Sequence, residues 1–152
     1  MKSLIQRVAH ASVMVDDRVV GKIGPGALVL VGLEVGDTQA DLDYHTKKLS
    51  HMRYFPDAQG RMNLSVADAG GSLLVVSQFT LAADVHKGNR PGFTLAMAPD
   101  EAKLTFARFL DQLRAACGVP VETGEFGAHM KVELLNDGPV TFLIDSRSGQ
   151  PL

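Results

Sequence analysis

The sequence predicts a single α+β domain over residues 1–152, with a mostly β body that is barrel-like or two-sheeted and with two principal helices. Three observations support this fold class. Short runs of β-branched residues are separated by Gly, Pro and Asp turns. Two segments carry apolar residues at helical spacing between recognisable cap residues. No linker or internal repeat divides the chain.

The first half of the chain predicts a hairpin, a buried strand and a helix. Residues 4–15 alternate apolar and polar side chains, Asp16-Asp17 interrupts them, and residues 19–23 resume the pattern, which indicates a hairpin. Residues 27–33 form a continuous apolar run that suits a strand buried on both faces. Thr38 and its neighbours supply N-cap chemistry for a helix that we expect to end near Met52.

The second half predicts one more helix among several strands. Residues 62–66 suit a short strand, and residues 73–76 are the best candidate for a central strand because they are the most apolar run. Pro99-Asp100-Glu101 opens the second helix and Gly118 closes it. Strands are predicted at residues 119–122 and 130–135. A turn at residues 136–139 then leads into a last strand at residues 140–144.

Composition narrows the class of protein. The chain has 15 basic and 17 acidic residues, a net charge of −2 and a pI near 6.2, which argues against binding along a nucleic-acid backbone through many phosphate contacts. A single cysteine, Cys117, excludes an internal disulfide. The sequence contains no signal-peptide pattern and no apolar run of membrane-spanning length. We therefore expect a soluble cytoplasmic protein without a membrane partner.

Common catalytic and metal-binding motifs are absent. The sequence contains no G-x-S-x-G, H-E-x-x-H, P-loop or G-x-G-x-x-G pattern. The histidines are scattered, and His45 and His51 are six residues apart, which places them on different faces of the predicted helix. Cys117 lies at a helix C-terminus, where the thiolate is disfavoured, so we predict a packing role for it. No metal and no cofactor are predicted.

Three polar segments remain as candidate sites. Ser77, Gln78 and Thr80, with Phe79 between them, follow the most apolar strand and either bind a ligand or simply satisfy backbone groups at the strand end. Thr80 has no evident base to activate it as a nucleophile. Gly138-Pro139 suits a tight turn.

The loop at residues 84–91 is the third of these segments. It carries Lys87 and Arg90, which either contact phosphate or are simply solvated.

Together these segments resemble the D-aminoacyl-tRNA deacylase family. Its two signature stretches are present as residues 77–81, SQFTL, and residues 136–141, NDGPVT. Further family-like segments occur in order as IQRV at 5–8, GRMNLS at 60–65, KGNRP at 87–91 and TGEFGA at 123–128. The similarity spans nearly the whole chain. Arg61 stands where lysine is commoner in the family.

The resemblance implies a homodimeric editing enzyme with no cofactor. Its substrate is the 3′ end of aminoacyl-tRNA, where it hydrolyses the ester of a D-amino acid, or of glycine on tRNA-Ala. In the family, catalysis is attributed to the 2′-hydroxyl of the tRNA. The resemblance implies catalytic roles for Gln78, Phe79 and Thr80 and assigns Ser77 and Met130, with those three, to the substrate pocket.

The same resemblance implies how chirality is read. Gly138-Pro139 is expected to form a cis bond whose main-chain carbonyls enter the pocket of the partner subunit and exclude L-amino acids. Arg7 is expected to help hold this motif in orientation. Lys87 and Arg90 are expected to contact tRNA. Two alternatives stay open: an acyl hydrolase with Thr80 as nucleophile, and a non-catalytic dimer that only binds tRNA ends.

Overall fold

The computed structural model describes residues 1–152, beginning with a long hairpin. Strand β1 (Lys2–Val15) pairs antiparallel with β2 (Arg18–Ile23), as predicted. Asp16 and Asp17 both have positive φ angles, 47° and 58°, which is the conformation of a two-residue hairpin turn. Buried residues alternate along β1 except on either side of Val8, where the spacing lengthens from two residues to three. The register with its long partner strand shifts at the same places.

Three mutually parallel strands continue the sheet from the same edge of β1 that pairs with β2. These are β3 (Gly26–Gly32), β6 (Ser72–Ser77) and β7 (Val121–Thr123). The strand order is β7-β6-β3-β1, followed by β8 (Lys131–Arg147) and β9 (Gln150–Pro151), so β6 is an interior strand, as its composition predicted. The strand predicted at residues 119–122 begins later because Pro120 has no N–H to donate to the ladder.

Three short strands complete the β structure. Strands β4 (Phe55–Pro56) and β5 (Met62–Leu64) form a separate ribbon. Strand β9 (Gln150–Pro151) pairs with the end of β8. The structure is therefore mostly β, with its principal sheet mixed in direction.

Both predicted helices are present and begin and end at the expected caps. Helix α1 (Gln39–His51) starts after Thr38, whose backbone N–H donates to the Asp41 carboxylate at 2.9 Å. Helix α2 (Pro99–Cys117) starts at a proline and ends at Gly118, which adopts the left-handed conformation. The helices pack on one face of the sheet.

The core has two parts because the sheet curls. A larger cluster lies between the helices and the sheet, and Cys117 packs within it, as predicted. A smaller cluster fills the concave side formed by β1, β2, β3 and β6. The curl brings β2 close to β7: a Cβ added at Gly21 would lie 2.4 Å from the Thr123 carbonyl oxygen. The sheet thus forms a barrel-like body, which is one of the two forms that the sequence left open.

One sequence prediction is wrong. Instead of two strands joined by a turn at residues 136–139, a single strand β8 (Lys131–Arg147) runs antiparallel to β1 along nearly its whole length. Gln6 pairs with Thr141 and Val8 pairs with Asn136, so four residues of β8 face only Arg7. The NDGP segment is therefore a large bulge within one strand. We call residues 137–140 the β8 bulge.

A buried polar network joins the two ends of the chain to α1. His45 is fully buried, with Nδ1 2.7 Å from Ser3 Oγ and Nε2 3.2 Å from Ser146 Oγ. Ser146 Oγ in turn lies 2.7 Å from Asp41 Oδ1 and donates its proton to that carboxylate. Since the Ser146 proton is used in this way, His45 Nε2–H donates to Ser146 and Nδ1 accepts from Ser3. A neutral imidazole satisfies every partner.

This network predicts a loss of stability on acidification. Burial lowers the pKa of His45 from 6.5 to about 4. The unfolded chain therefore takes up a proton between these values while the folded chain does not, so the free energy of unfolding falls as the pH drops from about 6.5 to 4. The expected loss is about 3 kcal/mol. Urea unfolding across this window measures it. His45→Gln should remove most of the dependence of the unfolding free energy on pH in this window. An unchanged dependence would contradict the assignment of this loss to His45.

Candidate active site

A cavity opens where the parallel strands β3 and β6 end. It has a volume of about 570 Å³, and 14 of its 19 lining residues are hydrophobic, so it suits an apolar group held by a few polar contacts. The strand ends supply residues 31, 33 and 76–79, and the start of α2 with its preceding segment supplies residues 96–99, 102 and 106. Residues 126–130 and 132, which follow β7, line another part of the cavity, and Phe93 completes the lining.

The polar floor of the cavity comes from the predicted segment at the end of β6. Ser77 is the last residue paired with β3, opposite Val31. The Gln78 backbone N–H donates to the Val31 carbonyl at 2.7 Å, after which the chain turns away into one turn of 3-10 helix at Phe79–Ala82. Ser77 and Gln78 are half-buried and both line the cavity. The floor therefore combines two hydrogen-bonding side chains with an apolar surround.

Thr80 lies beside the cavity but does not line it. Its side chain is exposed, and Thr80 Oγ1 accepts a hydrogen bond from Gln78 Nε2. No histidine, lysine or carboxylate contacts this hydroxyl, so the usual partner that activates a nucleophile is missing. The arrangement suits a residue that orients Gln78 better than one that attacks a carbonyl.

An aromatic pair marks the mouth of the cavity. Phe79 and Phe93 meet edge to face, with ring centroids 5.0 Å apart and planes at 64°. Both remain accessible, with 59% of Phe79 and 40% of Phe93 exposed. Large accessible rings beside a cavity are a ready surface for stacking a planar group such as a nucleobase.

Met130 lies in the lining segment that follows β7. It is half-buried, lines the cavity, and packs closely on Gly124: a Cβ added at Gly124 would lie 2.6 Å from Met130 Sδ. Gly124, the first glycine of the TGEFGA segment, therefore leaves room for the Met130 side chain. Met130 meets Ser77, Gln78 and Phe79 in one cavity, whereas Thr80, the fifth residue expected in the substrate pocket, does not line it.

Gly138 and Pro139 do not line this cavity. They lie exposed in the β8 bulge, and the peptide bond between them is cis. Arg7, whose side chain is 12% exposed, donates from Nε to the Asp137 carbonyl at 3.0 Å and from Nη1 to the Tyr54 carbonyl at 2.8 Å. Arg7 thus fastens the bulge of its own chain to the body of the protein.

Lys87 and Arg90 project from an exposed loop. Its base is closed by two backbone hydrogen bonds between Asp84 and Gly92, each 2.8 Å long. Both basic side chains are exposed and lie outside the cavity lining. The loop leads directly into Phe93, so the two cations flank the aromatic mouth in sequence.

Several lining residues were missed at the sequence level. These are Phe93, Met97, Phe106, Phe126 and His129. Phe126 lies in the TGEFGA segment, and Phe93 follows the KGNRP segment directly, so proximity to these motifs was the available signal. Met97 lies just before α2 and Phe106 lies within it. An apolar residue at either position is as typical of the core as of a cavity lining.

Comparison with known proteins identifies the family to which this chain belongs. Residues 4–145 match the family model described as D-Tyr-tRNA(Tyr) deacylase. The chain belongs to the D-aminoacyl-tRNA deacylase family. It is therefore a hydrolase of the deacylase type, as the two signature stretches predicted.

Two relatives with the same name support the family assignment. The D-aminoacyl-tRNA deacylase of Ruegeria pomeroyi is 59% identical over 145 residues, covering 95% of this chain and 99% of the relative. That of Chloroherpeton thalassium is 51% identical over 146 residues, covering 96% of both chains. The deacylase family thus accounts for nearly the full length of this sequence.

Solved structures share the deacylase fold. A structure titled c-Myc DNA Unwinding Element Binding Protein superposes with a TM-score of 0.91 at 42% identity, covering 96% of this chain and 99% of that one. A second, titled as a probable eukaryotic D-amino acid tRNA deacylase, has a TM-score of 0.84 at 20% identity, covering 95% and 98%, which shows the fold. None of the helices in this deacylase is long and apolar enough to cross a membrane.

Proposed function

We propose that this deacylase hydrolyses the ester joining a D-amino acid, or glycine on tRNA-Ala, to the terminal adenosine of tRNA. The observation that carries the proposal is a mostly apolar cavity with a Ser77–Gln78 floor, an aromatic mouth and no nucleophile paired with a base. Such a site positions a reactive ester instead of attacking it. Its substrates are found in the cytoplasm, where we propose the enzyme acts.

The chemistry is a simple ester hydrolysis. Water adds to the carbonyl carbon, the bond to the ribose 3′-oxygen breaks, and the ribose oxygen leaves with a proton. The neighbouring 2′-hydroxyl of the tRNA is placed to assist this step, so the protein supplies orientation and hydrogen-bond donors. We assign those roles to Gln78 and to the backbone of Phe79 and Thr80, at the edge of the floor.

The aromatic mouth is proposed to hold the terminal adenine. Phe79 and Phe93 offer accessible ring surface, and stacking of a base on such a ring is worth about 1–3 kcal/mol. Lys87 and Arg90 are proposed to contact the adjoining phosphates, because both are exposed on the loop that ends at Phe93. A contact limited to two cations fits the near-neutral charge of the chain and predicts weak, salt-sensitive binding.

Chiral selection is proposed to come from a second copy of the chain. The β8 bulge exposes Gly138 and Pro139 but does not line the cavity of its own chain. Exposed Leu135 and Leu143 flank it on β8, which carries no other strand along most of its outer edge. A long free edge with exposed apolar residues is usually covered. A homodimer in which each bulge enters the cavity of the partner covers the free edge of β8. It also gives the exposed Gly138-Pro139 segment a cavity to line.

In this arrangement the main-chain carbonyls of the bulge bind the substrate α-amino group. The backbone then occupies the space that an L side chain needs, whereas a D side chain points away and glycine has none. Selection by steric exclusion does not depend on which side chain is excluded. The proposed enzyme therefore accepts many D-amino acids.

The direct test uses purified protein and tRNA charged with the D or L form of one amino acid. We expect multiple-turnover release of the D-amino acid and of glycine, with the L ester decaying only at the rate seen without enzyme. Binding of both charged tRNAs without release would leave only the end-binding alternative. Equal hydrolysis of both esters would contradict chiral selection.

A further inference from the structure

The base of the β8 bulge is closed by the side chain of Asn136. Asn136 Oδ1 accepts a hydrogen bond from the Val140 backbone N–H at 3.0 Å, and Nδ2 donates to the Val140 carbonyl at 3.2 Å. Nδ2 also lies 3.4 Å from Thr141 Oγ1. One amide group therefore pairs with both backbone groups of Val140, as a residue of a neighbouring strand would.

This contact replaces a missing part of the ladder. The register with β1 passes from Thr141 directly to Asn136, so no β1 residue pairs with Val140. Val140 is nonetheless buried, and buried backbone groups need partners. Asn136 supplies them from within the same strand and joins the two ends of the bulge.

Arg7 of β1 is the second residue that anchors the β8 bulge. Arg7 Nε holds the Asp137 carbonyl at 3.0 Å, just before Gly138. No side chain hydrogen-bonds to Gly138 or Pro139 themselves. The tip is thus held at both ends while its own carbonyls stay available.

We propose that Asn136 is a positioning residue that fixes the β8 bulge for chiral selection. This inference rests on the proposed function, because it assigns the discrimination between D and L substrates to the placement of Gly138 and Pro139. A displacement of about 1 Å is enough to change a rate by about a hundredfold. Without the Asn136 amide, the bulge is fastened only by Arg7 and loses its fixed position.

The test compares Asn136→Ala with Gln6→Ala. Gln6 donates to Thr141 Oγ1 at 3.3 Å from the β1 side and does not touch Val140, so it is a matched control. The first readout is amide hydrogen exchange, which is independent of activity. The Val140 amide should exchange at least about tenfold faster in Asn136→Ala and at the wild-type rate in Gln6→Ala.

The second readout is the ratio of L to D hydrolysis. This ratio should rise by at least about tenfold in Asn136→Ala and stay at the wild-type value in Gln6→Ala. Asn136→Asp retains an acceptor for the Val140 N–H but loses both donor contacts, so it should give an intermediate ratio. A general loss of stability would instead lower hydrolysis of both substrates together and leave the ratio unchanged.

The outcomes separate the two proposals. An unchanged exchange rate at Val140 overturns the clamp, and so does faster exchange with undiminished rejection of the L substrate. Absence of D hydrolysis in the wild type would instead overturn the proposed function, while the exchange measurement still reports on the clamp.

Discussion

Gly138→Ala is expected to raise hydrolysis of an L-aminoacyl-tRNA relative to its D form by at least about tenfold. A Cβ at this position would lie 2.5 Å from the Val140 backbone nitrogen and 2.6 Å from Val140 Cγ2. Because Val140 is buried and clamped by Asn136, the bulge itself must move. Moving it opens the space proposed to exclude L side chains and weakens the contacts to the α-amino group.

The measurement is single-turnover deacylation with both enantiomers of one aminoacyl-tRNA. Gly24→Ala is the matched control, because a Cβ there meets nothing within 4 Å. The control should retain wild-type rejection. A Gly138→Ala enzyme that folds, forms dimers and still spares the L substrate completely would show that the bulge does not read chirality.

Removal of the terminal 2′-hydroxyl from the tRNA is expected to have the second large effect. With the amino acid attached at the 3′-oxygen of a terminal 2′-deoxyadenosine, deacylation should slow by at least about a hundredfold, which is the usual scale of positioned acid–base assistance. The same change at the penultimate nucleotide is the control and should leave the rate nearly unchanged.

Thr80→Ala complements this experiment because it removes the only protein hydroxyl considered as a nucleophile. Thr80 Oγ1 contacts Gln78 and no base, so we expect less than about a tenfold decrease in kcat, caused by looser placement of Gln78. A loss of several orders of magnitude, combined with full activity on the 2′-deoxy substrate, would favour the nucleophilic mechanism instead.

Much of the fold follows from local signals. Helix α2 begins at Pro99 and ends before Gly118, and α1 begins after Thr38, because caps act on the residues beside them. The hairpin at Asp16-Asp17 is equally local. In each case, the residues that determine the boundary lie within a few positions of it.

The β8 bulge illustrates what local signals leave out. An NDGP segment has the composition of a hairpin turn, and the sequence predicted one. The chain continues in the same direction because residues 131–136 and 141–145 both pair with β1, more than a hundred residues away. Only that distant partner distinguishes a bulge from a turn.

The candidate site was predicted in part. Ser77, Gln78 and Phe79 were found because polar residues end an apolar strand, and Met130 was placed by family resemblance. The buried His45 network was not predicted, since its partners Ser3 and Ser146 lie 42 and 101 residues away. A holding role for Arg7 was expected from the family resemblance, whereas the role of Asn136 depends on contacts around a bulge that the sequence did not predict.

The central claim is that each active site combines the cavity of one subunit with the bulge of its partner. Co-expression of Gly138→Ala chains with Ala96→Trp chains, whose cavity is filled, tests it directly. Random pairing makes about half of the dimers mixed, and one of the two sites in each mixed dimer joins an intact cavity to an intact partner bulge, so about a quarter of all sites in the sample are intact.

The reference sample is a mixture of the two variants, each purified separately and combined under conditions that prevent subunit exchange. The co-expressed sample should hydrolyse D-aminoacyl-tRNA with a markedly lower L-to-D ratio than this reference. Identical ratios in the two samples would contradict a site shared between subunits.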